Sequence, residues 1–338
     1  MKFLRLLIIP LIALTIQACS SNGQQQQSSV LLNVGTYPFV TTFADTYYYT
    51  MQTEYVDSII LYAAPSLEML QDAEKVTILT SKDSGLQHIY SPEIHRINDA
   101  WYIYFEADDG NSDNHQIYVL ENTAESPMQG EWTMHVPIIT TNEWNFGLHP
   151  DVITVDNRLY MFWSGWQKRR TETEVQCIFL AEMENPWTLK SKRVMISSPI
   201  NEWERQWINP NGHRSAYPIF VNENPQAFLS PDGKTIVVGY SASGIWTIFN
   251  SLGILYASTE NNLLDANSWT KLQEPTFLAP ETAGFYGTSN ISVVNDIDSD
   301  KQYIVYQVKT GDGYNQCHIR YKQLHWDPNS LPLLSSSL

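Results

Sequence analysis

Asn98-Asp99-Ala100-Trp101-Tyr102-Ile103-Tyr104-Phe105 is a pair of turn formers followed at once by aromatic and β-branched residues. Asn and Asp accept the backbone angles of a tight turn, and residues of the second kind suit a pleated, half-buried surface. Working outward, the same pattern recurs at Ala44-Asp45-Thr46-Tyr47-Tyr48-Tyr49, Asp156-Asn157-Arg158-Leu159-Tyr160-Met161-Phe162-Trp163, Asp232-Gly233-Lys234-Thr235-Ile236-Val237-Val238 and Asp300-Lys301-Gln302-Tyr303-Ile304-Val305-Tyr306. Tyr47, Tyr102, Tyr160, Val237 and Ile304 take equivalent places, at spacings of 55, 58, 77 and 67 residues. Each instance is followed by a further strand, at 58–63, 116–120, 177–181, 252–257 and 317–321. An inner strand precedes the turn, as at 93–96 and 151–154. Repeated units of three or four short antiparallel strands predict the blades of a propeller, and five units predict five blades. Radial closure would protect strand edges that an open meander exposes. A long β-sandwich is the alternative all-β arrangement, but it gives no reason for a repeat. Helix is expected only as a turn or two, for example at 263–266.

Composition agrees with an all-β chain. The 338 residues include 11 Trp, 19 Tyr and 12 Phe, and hydrophobic residues make up 43%, enough for a sizeable core. Core packing accounts for most of these rings, although aromatic faces also stack on sugars. With 20 Lys and Arg against 36 Asp and Glu, the formal charge is −16. Nucleic-acid binding needs clustered basic residues, and a polybasic membrane contact needs the same, so both are disfavoured.

The amino terminus has its own logic. Lys2 and Arg5 precede an apolar run from Leu6 to Ile16, too short to span a bilayer, which stops at Gln17-Ala18-Cys19-Ser20. This is the pattern of a secretory signal. A small residue before cysteine resembles the cleavage box of bacterial lipoproteins, which would leave Cys19 acylated and the chain exported to the outer membrane or cell surface. Gln-rich polar residues then form a tether. The expected organisation is a signal at 1–18, lipidated Cys19 and tether at 19–31, a propeller at 32–330 and a tail at 331–338. Cys177 and Cys317 are the remaining cysteines, and no spacing suggests zinc.

Ser91-Pro92-Glu93-Ile94-His95, Asp108-Asp109-Gly110, Phe162-Trp163-Ser164-Gly165-Trp166, Asn185-Pro186-Trp187-Thr188, Phe220-Val221-Asn222-Glu223-Asn224-Pro225, Gly239-Tyr240-Ser241-Ala242-Ser243-Gly244 and Phe285-Tyr286-Gly287 together resemble the family 43 glycoside hydrolases. The resemblance runs from about Tyr37 to Trp326. It implies a five-bladed propeller whose relatives remove arabinose, xylose or galactose units from plant polysaccharides with inversion. Inversion uses two carboxyl groups about 6.5–9.5 Å apart, one protonating the leaving oxygen and one activating water.

Three carboxylates of that family can be followed here. The acid position is kept as Glu223, although Asn224 stands where relatives have glycine. The base position, in Thr36-Tyr37-Pro38-Phe39, holds Tyr37, and a phenol with an ordinary pKa of about 10 is a poor base near neutrality. The third position, which sets the acid's pKa, holds His149. Asp151, two residues on, would share its face, either compensating for the loss or bonding to a neighbouring loop. Asp45 is turn chemistry. At the family's axial histidine stands Asn290, so a structural divalent cation in the channel is expected to be weakened, and no cofactor is required. The resemblance also marks Glu93, Trp166, Trp246, Phe39 and Arg320 as substrate-binding candidates, Arg320 equally as a surface residue.

Three functions are open to such a sequence. It can hydrolyse glycosides through a Tyr37–Glu223 route, since sialidases use a tyrosine nucleophile. It can bind oligosaccharide or polysaccharide without hydrolysis, as a monomer on a lipid anchor. Or it can hydrolyse weakly with His149 carrying the proton.

Overall fold

The computed structural model describes residues 29–168, 174–208, 214–245, 247, 249–276, 286–310 and 316–334. They form five four-stranded blades around an axis. The inner strands are Thr36–Phe43, Gln87–Ile97, Leu148–Val155, Arg214–Leu229 and Tyr286–Asn295. Each motif read from the sequence is the second strand of a blade, at Thr46–Gln52, Ala100–Asp108, Arg158–Gly165, Thr235–Ala242 and Gln302–Lys309. Asn98-Asp99 and Asp156-Asn157 turn with positive φ at both residues (48° and 66°, 48° and 60°). That is the turn whose twist matches a two-residue hairpin.

The inner strands begin earlier than the sequence suggested, at Gln87 rather than Glu93 and at Leu148 rather than Asp151. A short 3-10 turn occupies Ala266–Ser268 instead of 263–266. The propeller also begins before Leu32. Ser29–Leu32 pairs antiparallel with Cys317–Leu324 and completes blade five as its fourth strand. At the other end Pro332 bridges to Trp326, and Leu334 is buried with the blade four and five core. Residues 29–31 and 332–334 are thus part of the body, not tether and tail. Cys19 lies outside the described residues. Cys177 and Cys317 are buried free thiols on blades three and five.

Apolar residues on blade faces meet at the seams. One cluster joins Tyr104 and Val119 of blade two to Met161, Trp163 and Phe179 of blade three. Four further clusters do the same for the other four neighbouring pairs. The aromatic content is therefore spent mainly on seams. Blades three and four are also joined by parallel pairing of Glu174–Gln176 with Ile219–Val221.

Polar contacts link the seams near the axis. Every inner strand carries a bulge, and the bulged residue has positive φ: Tyr37 (51°), Ser91 (44°), His149 (51°), Asn224 (50°) and Asn290 (46°). A bulge leaves its N–H without a ladder partner. In four of five cases a side chain on the second strand of the preceding blade accepts it. Gln307 Oε1 accepts from Tyr37 N (3.2 Å), Glu106 Oε2 from His149 N (3.0 Å), Ser164 Oγ from Asn224 N (2.9 Å) and Ser241 Oγ from Asn290 N (3.0 Å). At the blade one–two seam Thr50 Oγ1 instead donates to the Pro92 carbonyl (2.5 Å). Ser241 Oγ also bonds the Asn290 side-chain oxygen. Ser241→Ala leaves both Asn290 groups buried and unpaired, and should lower stability by about 1–3 kcal/mol. A denaturant midpoint that falls at constant slope would show it.

Candidate active site at the channel mouth

Left-handed backbone is strained for tyrosine, serine and histidine, costing about 1–3 kcal/mol each. Five such residues ring one end of the channel, and strain of this kind gathers at functional sites. Within the ring, Tyr37 of blade one and His149 of blade three stack, with centroids 5.0 Å apart and planes 14° from parallel. His149 Nδ1 lies 2.8 Å from Ser91 Oγ and 3.2 Å from Glu106 Oε1. His149 Nε2 lies 3.8 Å from Glu223 Oε2. The other Glu223 oxygen accepts from Ile245 N (2.9 Å). All five side chains are buried, Glu106 completely.

The three positions followed in the sequence, Tyr37, His149 and Glu223, are thus brought together. Glu106 was missed. Its signal was available, since it is a carboxylate within a strand, Ala100–Asp108, whose nine residues are all buried. Burial raises the Glu106 pKa, while the neighbouring imidazole opposes that rise. Burial alone would lower the His149 pKa, but Glu106 and Glu223 outweigh it and hold it above the ordinary value.

This has a consequence for stability. A group whose folded pKa is raised contributes fully below its unfolded value, about 6.5 for histidine. The contribution fades as pH rises through the folded value. The melting temperature of the wild-type chain should therefore fall relative to His149→Gln as pH rises from about 6.5. Parallel melting curves for the two chains between about pH 6 and 9 check this, and a relative rise of the wild type would refute it.

Asn290 closes the ring: its oxygen accepts from Ser241 Oγ (3.0 Å) and its amide donates to Gln307 Oε1 (3.1 Å), which ties it to blade four and to the second strand of its own blade.

Other candidates lie elsewhere. Glu93 and Phe39 sit one ring deeper, two residues past their bulges, so they do not wall the mouth. Glu93 accepts from Gln226 Nε2 (2.7 Å) across the axis, and Phe39 packs on His95 (4.7 Å). Asp151 is in the same deeper ring and accepts from Ala227 N (2.6 Å), so it ties blade three to blade four. Burial lifts Asp151 to about 7, and burial with the Asp151 charge holds Glu93 well above the carboxylate range. Burial drops His95 to about 3. Arg320 is on the third strand of blade five, paired with Tyr306 and Val30, two strands out from the axis. Trp166 stands at the end of the second strand of blade three, flat against Phe146 (3.7 Å, 6°), beside Leu148. Trp246 lies outside the described residues.

A rim cluster had not been anticipated. Asp108 accepts from Gly110 N (2.8 Å), meets His88 Nδ1 at 2.9 Å and lies 3.3 Å from His115 Nε2. Tyr90, directly before the Ser91 bulge, packs on His115 (5.4 Å), which burial drops to about 4. Two open depressions, of about 730 and 390 Å³, are lined by other residues, including Phe228 and Val293 in one and Tyr118 and Trp144 in the other.

Five closed blades around a mouth of buried acid, imidazole and phenol define a propeller scaffold of the glycoside-hydrolase kind. Residues 27–332 match the model of the glycosyl hydrolases family 43, and the chain belongs to that family. It is 34% identical over 308 residues to an extracellular exo-α-(1→5)-L-arabinofuranosidase of Streptomyces avermitilis, covering 87% of this chain and 60% of that protein. It is 29% identical to α-L-arabinofuranosidase 43 of Humicola insolens, covering 85% and 58%. The chain therefore spans under two thirds of the length of these two relatives. Among solved structures, an α-L-arabinofuranosidase from Lactobacillus brevis superposes with a TM-score of 0.79 at 27% identity, covering 90% and 95%.

Proposed function

We propose that this chain engages terminal arabinose units of plant oligosaccharides or polysaccharides at the channel mouth, and does not cleave them by the paired-carboxylate route. The observation that carries the proposal is the setting of His149. It stands where the family resemblance expects an aspartate, lies 3.2 Å from Glu106 and 3.8 Å from Glu223, and has Tyr37 stacked on its face. An inverting site needs a carboxylate to deprotonate water opposite a protonated acid. Here a phenol occupies the first place, and an imidazole stands in the third. Removing one of two cooperating groups removes most of the catalysis, because they act as a unit. The similarity to arabinofuranosidases supports arabinose as the sugar. The leader and Cys19, with relatives named extracellular, support an exported, lipid-anchored monomer.

A second reading has its own observation. Glu106, His149 and Glu223 form a line of acid–base groups at 3.2 and 3.8 Å, able to pass a proton to a leaving oxygen. Aryl arabinofuranoside, xyloside and galactoside assays with calorimetry of arabino-oligosaccharides separate the two. Binding without turnover supports the proposal. Turnover lost in both Glu223→Gln and His149→Gln, but kept in Tyr37→Phe, supports the relay. Turnover lost in Glu223→Gln and Tyr37→Phe supports a tyrosine nucleophile. A wild-type chain that neither binds nor turns over these sugars overturns all three.

A further inference from the structure

Beneath the mouth, the second ring of the channel contains a group of atoms that the sugar site does not use. Glu93 Oε2, His95 Nε2 and an Asp151 oxygen lie within 4.8 Å of one another. His95 Nε2 is 3.6 Å from Glu93 Oε2 and 3.8 Å from Asp151 Oδ1. Glu93 is 4% exposed and faces the Asp151 carboxyl closely enough to share a proton with it, while His95 Nε2 has no hydrogen-bond partner. Leaving a ring nitrogen buried and unpaired is costly. Two acidic side chains side by side in the interior are costlier still.

The surrounding groups orient these atoms. Glu93 is fixed through its other oxygen by Gln226 Nε2 (2.7 Å), and Asp151 through its other oxygen by Ala227 N (2.6 Å). The His95 ring is wedged between Phe39 (4.7 Å) and Tyr104 (5.6 Å). Ligating carboxylates are held by outer partners in this manner. Ligands of a tetrahedral ion at about 2.0–2.2 Å stand roughly 3.3–3.6 Å apart. The two spacings to His95, 3.6 and 3.8 Å, reach that range with a contraction of a few tenths of an ångström.

We propose that Glu93, His95 and Asp151 bind one divalent cation of the zinc or manganese class, pinning blades two and three together below the mouth. One imidazole with two carboxylates favours that class over calcium or magnesium, which take all-oxygen sets. The site is a ring deeper than Asn290 and shares no residue with the sugar site, so it stands or falls independently of the proposed function.

The test uses tag-free protein stripped with chelator, then titrated with zinc, manganese and calcium chlorides. Calorimetry, metal analysis after gel filtration and melting curves provide the readouts. One equivalent of zinc or manganese is expected to remain bound and to raise the melting temperature. Gln226→Leu, which removes only the amide that orients Glu93, should weaken binding about 10–100-fold. Glu93→Gln and Asp151→Asn should abolish it while circular dichroism shows a folded chain. His115→Gln, at the rim cluster, should leave the stoichiometry unchanged. No retained equivalent, preference for calcium, or an equivalent that survives both Glu93→Gln and Asp151→Asn would each overturn the proposal. So would loss of metal in His115→Gln alone.

Discussion

Tyr37→Asp combined with His149→Asp should create inverting turnover of an aryl arabinofuranoside where the wild-type chain shows only binding. The gain should be on the order of 10³-fold or more above background, because cooperating catalytic groups recover their effect only as a unit. Each single replacement should gain little. The backbone permits the exchange, since both positions are left-handed (51°) and aspartate tolerates that region better than tyrosine. Glu223 stays in place, fixed by Ile245 N. With both exchanges made, carboxylates stand at the two positions that the family resemblance assigns to them. Anomer-resolved NMR of the product reads the result. Inverting turnover by the wild-type chain would refute the proposed loss. So would a folded, sugar-binding double variant that remains at background.

The largest stability effect should come from Glu106. One of its oxygens accepts the N–H of the His149 bulge, and the other lies 3.2 Å from the imidazole. Glu106→Leu removes the acceptor and leaves a buried positive ring with less compensation. Breaking a buried pair in this way costs about 3–5 kcal/mol. Glu106→Gln keeps an acceptor for the bulge and loses only the charge, so it should cost clearly less. Equilibrium denaturation of the two variants measures the difference. Equal losses would mean that packing volume, not the pairing of His149, is what Glu106 contributes.

Much of the architecture was legible because blades repeat local chemistry. Turn formers followed by aromatic strands mark every second strand, and hairpins are short-range events. The bulges were also written in the sequence, although less plainly. Tyr37-Pro38, Ser91-Pro92, His149-Pro150 and Asn224-Pro225 are X-Pro pairs inside central strands. Proline lacks the ladder donor and is found within sheets at such irregularities. Blade five, with Asn290-Ile291, lacks the mark. Which residues gather at the mouth was legible only through family resemblance, which located Tyr37, His149 and Glu223. Glu106 and the Glu93–His95–Asp151 group escaped because their meaning depends on contacts between blades. Glu106 is 43 residues from His149, and Gln226 is 133 from Glu93. Alternation along a strand cannot tell an acid facing the axis near the mouth from one facing it a ring deeper. Glu93 was misplaced for that reason, and Phe39 with it.

The linkage of each bulge to the blade before it bears on how such rings can be recombined. A module excised from loop to loop between neighbouring sheets would carry its own strained residue and leave the acceptor for that residue behind. A graft that keeps Arg158–Gly165 with Arg214–Leu229, or Thr235–Ala242 with Tyr286–Asn295, moves donor and acceptor as one piece. Chimeras of this family should therefore survive when crossovers fall within the hairpins, and fail when they fall at the sheet boundaries that a diagram of the fold would suggest.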